Sequence, residues 1–167
     1  MPYKDVVIVD ENDEVIGSAQ LSAAILNNQL RRVARIFVVN EASQFLLQKR
    51  SQVVNHPGLY DVSAGGHVDV DESYAEAATR ELREELGITT DLPTPFITSY
   101  RSQSEYSFCT MYVVRIKSDR PITFDPHEIE LVVWKSKTEI DIMIKNDPHL
   151  FTRAFIESWS LESQSTT

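Results

Sequence analysis

The 167 residues are enough for one domain with a substantial buried core and too few for two comfortable domains. Apolar residues at 42% and charged residues at 25% match ordinary globular usage and suggest neither a disordered nor a membrane chain, and runs such as VVIV and IFVV are far too short to span a bilayer as a helix. A formal net charge of −9, from 16 basic and 25 acidic residues, disfavours nucleic acid as a partner and repels bare phosphates, so a phosphorylated substrate would need a cation held locally.

The opening MPYKDVVIVDENDE has neither the long apolar stretch of a secretory signal nor the Arg-rich character of a transit peptide. With Cys109 as the single cysteine, an internal disulfide and a multi-cysteine zinc site are both excluded, and a cytoplasmic location is the expectation. Residues 5–20 read as a hairpin, DVVIVD and EVIGSA flanking a polar turn. LSAAILNNQL reads as a short helix capped by Ser22. VARIFVVN and FLLQKR form a second hairpin around Glu41, Ala42 and Ser43, and His56, Pro57 and Gly58 mark a loop before YDVSAGG. A helix is expected from Ser73 to Leu86. After it come a loop with two prolines ending at Pro95, then strands at FITSYRS and YSFCTMYVVRIK, with Cys109 as a buried strand residue. A loop between Pro121 and Pro126 precedes the strand ELVVWKS. Helices over Lys137 to Lys145 and Pro148 to Leu161 close the chain, before a polar tail over 162–167 that should fray. No repeat or domain-scale linker interrupts residues 1–167, so one α/β domain with helices covering a mixed sheet is predicted.

The most informative segment runs from Gly66 to Ile88. Ser73 and Glu76 make a capping-box pair, Gly87 is placed as a left-handed stop, and Ala75, Ala78, Leu82 and Leu86 form an apolar stripe. On the flank of that stripe Glu81, Glu84 and Glu85 can converge, because they lie three and four residues apart on one helix. Carboxylates gathered this way repel unless a cation sits among them, and magnesium suits an all-oxygen site shared with phosphates. Gly65 and Gly66 would let backbone carbonyls approach the same ion. The bland alternative is a solvated helix face, since Glu76, Arg80 and Glu84 are spaced for ion pairs. Against it stands the full pattern G-x5-E-x7-R-E-U-x-E-E-x-G-U (U apolar), filled at every specified position; a chance match in one chain is below roughly one in a million.

That pattern is the Nudix box, here residues 66–88, and the chain resembles the Nudix hydrolase superfamily. The resemblance implies an α/β/α sandwich with a mixed central sheet and an N-terminal β-hairpin. It implies Glu84 and Glu85 as principal metal ligands, Glu81 as a further ligand or general base, Glu72 as support and Arg80 as the residue that orients the carboxylates. The implied cofactor is Mg2+, with Mn2+ as a substitute, and the implied reaction is attack of water at phosphorus in a nucleoside diphosphate derivative or related small molecule. Family members often add an acid from a loop after the box, a place filled here by Glu128 and Glu130, with Glu105 a weaker candidate. The DENDEVIG hairpin, the arginine pair and the LLQKR ending resemble the branch that contains isopentenyl-diphosphate isomerase. The isomerase, however, needs a cysteine where this chain has Gly65, and a histidine where it has Arg31 and Arg32; only His67 remains of that metal-binding cluster. A non-catalytic diphosphate-binding module is the third reading, although such modules are expected to lose one of the acids. Tyr100, Tyr106 and Phe151 could stack on a base or fill core, and Arg50 and Arg101 could meet phosphates. A small-molecule partner, no nucleic acid, no membrane, and a monomer or homodimer complete the expectation.

Overall fold

The computed structural model of the chain describes residues 5–91 and 95–165. Pro93 of the expected loop, and the last two residues of the expected tail, lie outside them. Strands β1 (Asp5–Val9) and β2 (Val15–Gln20) form the N-terminal hairpin. Its turn is tied by Asp10 Oδ1, which accepts from the backbone of Asn12 at 2.8 Å and Glu14 at 3.0 Å. Helix α1 (Leu21–Leu26) follows at once, so Gln20 is its N-cap residue and no side chain caps it. Ser22 is therefore inside the first turn instead of capping it, because β2 leaves no spacer in which a cap could form.

Strand β3 (Arg31–Val39) begins two residues earlier than the apolar pattern indicates, and β4 (Gln44–Arg50) follows through a turn closed by Asn40 Oδ1. The two pair only at Val38 with Leu46 and Val39 with Phe45, then part company. Beyond the hairpin, β3 runs parallel to β8 (Ser107–Arg115), which pairs with β7 (Pro95–Arg101), while β4 runs antiparallel to β9 (Ile129–Ser136). The segment between them supplies β5 (Tyr60–Asp61) on β4 and β6 (Ala64–His67) on β3. Among the described residues these strands make one mixed, nine-stranded sheet.

Period-two alternation along β3 and β4 sends side chains to two cores. Ala34, Ile36, Val38 and Leu46 pack with Ala77, Ala78, Leu82 and Leu86 of helix α2 (Tyr74–Leu86). Phe37, Val39, Phe45 and Leu47 face Ile140 of α3 (Lys137–Asn146) and Phe155 and Trp159 of α4 (Arg153–Ser165). Trp159 meets Phe45 and Phe37 edge-to-face at 4.9 and 5.9 Å. The architecture is thus the expected α/β/α sandwich. Ala77 is buried more deeply than the half-buried Ala75, which shifts the inward stripe of α2 slightly from the expected one.

The C-terminal region departs from the sequence reading twice. A single 3-10 turn over Pro148–Leu150, capped by Asp147, replaces the start of the expected last helix, and Phe151 makes an isolated bridge to Tyr60 before α4 begins. Residues 162–165 continue that helix, with Glu162 buried and accepting from Lys137 Nζ at 2.8 Å. This ion pair, invisible to composition, holds a polar stretch that otherwise reads as a frayed end.

Candidate active site

Helix α2 forms where it does because both ends are fixed locally. Ser73 Oγ accepts from the backbone of Glu76 at 3.3 Å, Glu76 returns the contact to the Ser73 N–H at 2.8 Å, and Gly87 ends the helix at φ 65°. Strand β6 crosses beside it at Gly66. A Cβ on Gly66 would lie 2.0 Å from Glu81 Oε1, so glycine is what permits the carboxylate to reach the strand.

Arg80 organises the acids. Its Nε and Nη2 grip Glu72 in a bidentate pair at 2.8 and 3.0 Å, and Nη1 donates to Glu81 at 2.7 Å and to Glu84 at 3.3 Å. Nη2 also donates to the His67 carbonyl at 3.0 Å, which ties the helix to β6. Burial opposes the charge on Arg80, but Glu72 and Glu81 outweigh it and hold the guanidinium firmly protonated. Glu81 and Glu85 are pushed above the ordinary carboxylate range, first by burial; Arg80 partly offsets this for Glu81, and repulsion from Glu81 and Glu128 adds to it for Glu85. Glu85 Oε2 accepts from Gln48 Nε2 at 3.2 Å and from the Gly65 N–H at 3.3 Å.

A cleft of about 440 Å³ opens next to Glu85, lined also by Gln48, Arg50, residues 53–55, Gly65 and Glu128. Glu128 immediately precedes β9 and reaches this cleft, whereas Glu130 is engaged by Lys49 at 2.7 Å and Gln52 at 3.0 Å. Glu105 is bound to Arg35 at 2.8 Å on the α4 side of the sheet. Arg50 lines the cleft, anchored by the Asn55 carbonyl at 2.6 Å and Asp61 at 3.6 Å. Arg101 lies over Tyr106 at 4.4 Å in a separate recess formed by residues 101–106. Tyr100 donates no base platform, being bound to Arg35 at 2.8 Å, and Phe151 is core. The His67 ring is partly buried and accepts from Arg31 Nε at 3.4 Å; burial, then Arg31, lowers its pKa to about 4. Gln48 and residues 53–55 line the cleft without having a site role in the sequence reading, where Gln48 appears only within LLQKR.

Among the described residues no three acidic, histidine or cysteine side chains stand close enough together to share a metal ion. Glu81 and Glu84 are turned towards Arg80, and Glu85 towards Gln48 and Gly65. The donor chemistry nevertheless fits a hard divalent cation: the donors are carboxylates, and burial raises Glu81 and Glu85 above their ordinary range.

A NUDIX domain model matches residues 29–155, and the chain belongs to the Nudix family. Isopentenyl-diphosphate Delta-isomerase of Pectobacterium atrosepticum is 30% identical over 161 residues, covering 93% of this chain and 89% of that protein. A Nudix hydrolase of Deinococcus radiodurans is 34% identical over 134 residues, covering 76% of this chain and 75% of that protein. The crystal structure of a Deinococcus radiodurans protein superposes with a TM-score of 0.78 at 28% identity, covering 98% of this chain and all of that one.

Proposed function

We propose that this chain is a divalent-metal-dependent hydrolase that cleaves a diphosphate linkage in a nucleoside diphosphate derivative or related small molecule. The observation that carries the reading is the complete acid set gathered around Arg80, with Glu85 at the edge of a cleft of small-molecule size. Mg2+, or Mn2+ in its place, held by Glu81, Glu84, Glu85 and the Gly65 carbonyl, would neutralise the anionic oxygens of the diphosphate and make the attacking water more acidic. Arg80 keeps Glu81 and Glu84 on one side of the helix and Glu72 anchors Arg80, so the carboxylates are arranged before the substrate arrives. Glu81, whose carboxyl is raised by burial, or Glu128 from the start of β9, accepts the proton of the water. The water oxygen bonds to phosphorus as the bridging P–O bond breaks, and two phosphorylated products leave. Arg50 is placed to meet a phosphate in the cleft. The reading places the enzyme in the cytoplasm, as a monomer or homodimer.

Relatives named as isomerases favour a second reading, isomerisation of isopentenyl diphosphate. Two features oppose it. A Cβ on Gly65 would lie 2.9 Å from the Ala34 carbonyl, so a cysteine there would require the backbone of β3 or β6 to shift. The buried Arg31 donates to His67, and this fixed positive charge stands against a cation beside that ring. A binding module without activity is opposed by the unbroken acid set. Assays with Mg2+ of a panel of nucleoside diphosphate compounds, and separately of isopentenyl diphosphate, distinguish the three. Hydrolysis lost in Glu84→Gln is expected; conversion of isopentenyl to dimethylallyl diphosphate would support the isomerase, and no turnover of any compound the binding module.

A further inference from the structure

Gln48 breaks the pattern of its own strand. Side chains of β4 alternate between the two cores, and Leu46, two residues earlier on the face towards α2, is 1% exposed and packed among aliphatic neighbours. Gln48 follows on that face and is 4% exposed. A buried amide costs free energy unless it is hydrogen-bonded, so an aliphatic side chain would serve the core better. The amide's partner is the Glu85 carboxylate, at 3.2 Å. The strand beneath it is held on both edges, Gln48 pairing with Asp61 of β5 and with Val132 of β9.

The two hydrogen bonds to Glu85 are not shared between its oxygens. Gln48 Nε2 and the Gly65 N–H both donate to Oε2, and no donor among the described residues is bonded to Oε1. One oxygen is therefore clamped by groups on both β4 and β6, while the other has no hydrogen-bond donor among the described residues. Gln48 also lines the cleft beside Glu85, yet its amide faces the carboxylate.

We propose that Gln48 is a positioning residue that fixes the rotation of the Glu85 carboxylate, so that Oε1 is presented to a divalent cation. This rests on the reading of Glu85 as a metal ligand. Partners that orient a ligating carboxylate are expected to change metal affinity by about 10–100-fold when removed. An aliphatic side chain at this core-facing position would leave Glu85 held by Gly65 alone.

The test is direct Mn2+ binding to the purified protein, followed by electron paramagnetic resonance of the free ion, alongside thermal unfolding with chelator present. Gln48→Met keeps the length and removes the donor; Gln48→Asn keeps the amide but draws it back from Glu85. Both are expected to raise the Mn2+ dissociation constant by about 10–100-fold. Glu85→Gln should weaken binding too, and adding Gln48→Met to it should cause no further loss, because the two residues act through one contact. Wild-type affinity in both Gln48 variants would overturn the proposal, as would an equal loss from Gln48→Met in the Glu85→Gln background. Absence of Mn2+ binding by the wild-type protein would instead overturn the metal-site reading, and the positioning role with it.

Discussion

At the residue scale, burial pushes the carboxyls of Glu81 and Glu85 above their ordinary range, and for Glu81 the Arg80 contact offsets this in part. Glu85 is raised by burial and by repulsion from Glu81 and Glu128, so folding disfavours its charged form relative to the unfolded chain. The sign follows: above the folded-state pKa the charged form costs stability in full, and the cost is relieved as pH falls through that value. In chelator, at a pH where the carboxylate is charged, Glu85→Gln should therefore raise stability, by on the order of 1 kcal/mol, while abolishing metal-dependent turnover. A fall in the unfolding temperature of that variant would show that the charge is compensated. Gly66→Ala is a sharper geometric probe. Its Cβ would require Glu81 to move, and displacement of a reacting group by about 1 Å is expected to lower kcat on the order of 100-fold with the fold retained. Unchanged kcat would remove Glu81 from the chemistry.

What the sequence reveals at this scale is what one helix sets by itself. Arg80, Glu81, Glu84 and Glu85 are legible because their spacing along α2 decides which side they share. Gln48 is not, since its role depends on a strand lying across from α2, and nothing within a few residues of it names Glu85 as its partner. Glu105 and Glu130 are legible as acids but not in their destinations, which Arg35 and Lys49 decide through tertiary contact.

At the scale of elements, the helix that carries the acids is fixed by its ends. Ser73→Ala removes half of the capping box and should cost about 1 kcal/mol, lowering the unfolding temperature by roughly 2–4 °C in a chain of this size. Gly87 has φ 65°, and a Cβ there would approach Thr123 at 3.2 Å, so Gly87→Ala should cost at least as much. Both caps are readable because they are local. The parting of β3 from β4 is not. The pattern of VARIFVVN and FLLQKR describes two strands joined by a turn, but the preference of β3 for β8 and of β4 for β9 arises from contacts more than 70 residues away. That parting admits the segment from Tyr60 to His67, and so brings Gly65 and Gly66 up to α2. The 3-10 turn at Pro148 was equally hidden, because the bridge from Phe151 to Tyr60 that follows it is a tertiary contact.

At the scale of the whole molecule, the two cores hold the sheet against its helices on both faces, and pH acts on the packed state through His67. Burial lowers its pKa to about 4, below the unfolded value of about 6.5. The unfolded chain therefore takes up a proton first as pH falls, and this contribution is intact above about pH 6.5 and lost down to about pH 4. Replacing His67 with Gln should flatten the decline of the urea midpoint across that window; an unaltered profile would show that the ring titrates freely. Leu82 is fully buried between α2 and β3, and Leu82→Ala should cost about 2–5 kcal/mol, read as a lower urea midpoint with the slope unchanged.

The most direct test of the central claim, that water is added to a diphosphate at phosphorus, is turnover in H2(18)O with Mg2+ and mass spectrometry of the products. One heavy oxygen in one of two phosphorylated products, with no turnover by Glu84→Gln, is the predicted result. Dimethylallyl diphosphate formed from isopentenyl diphosphate, with no heavy oxygen taken up from any diphosphate compound supplied, would contradict it.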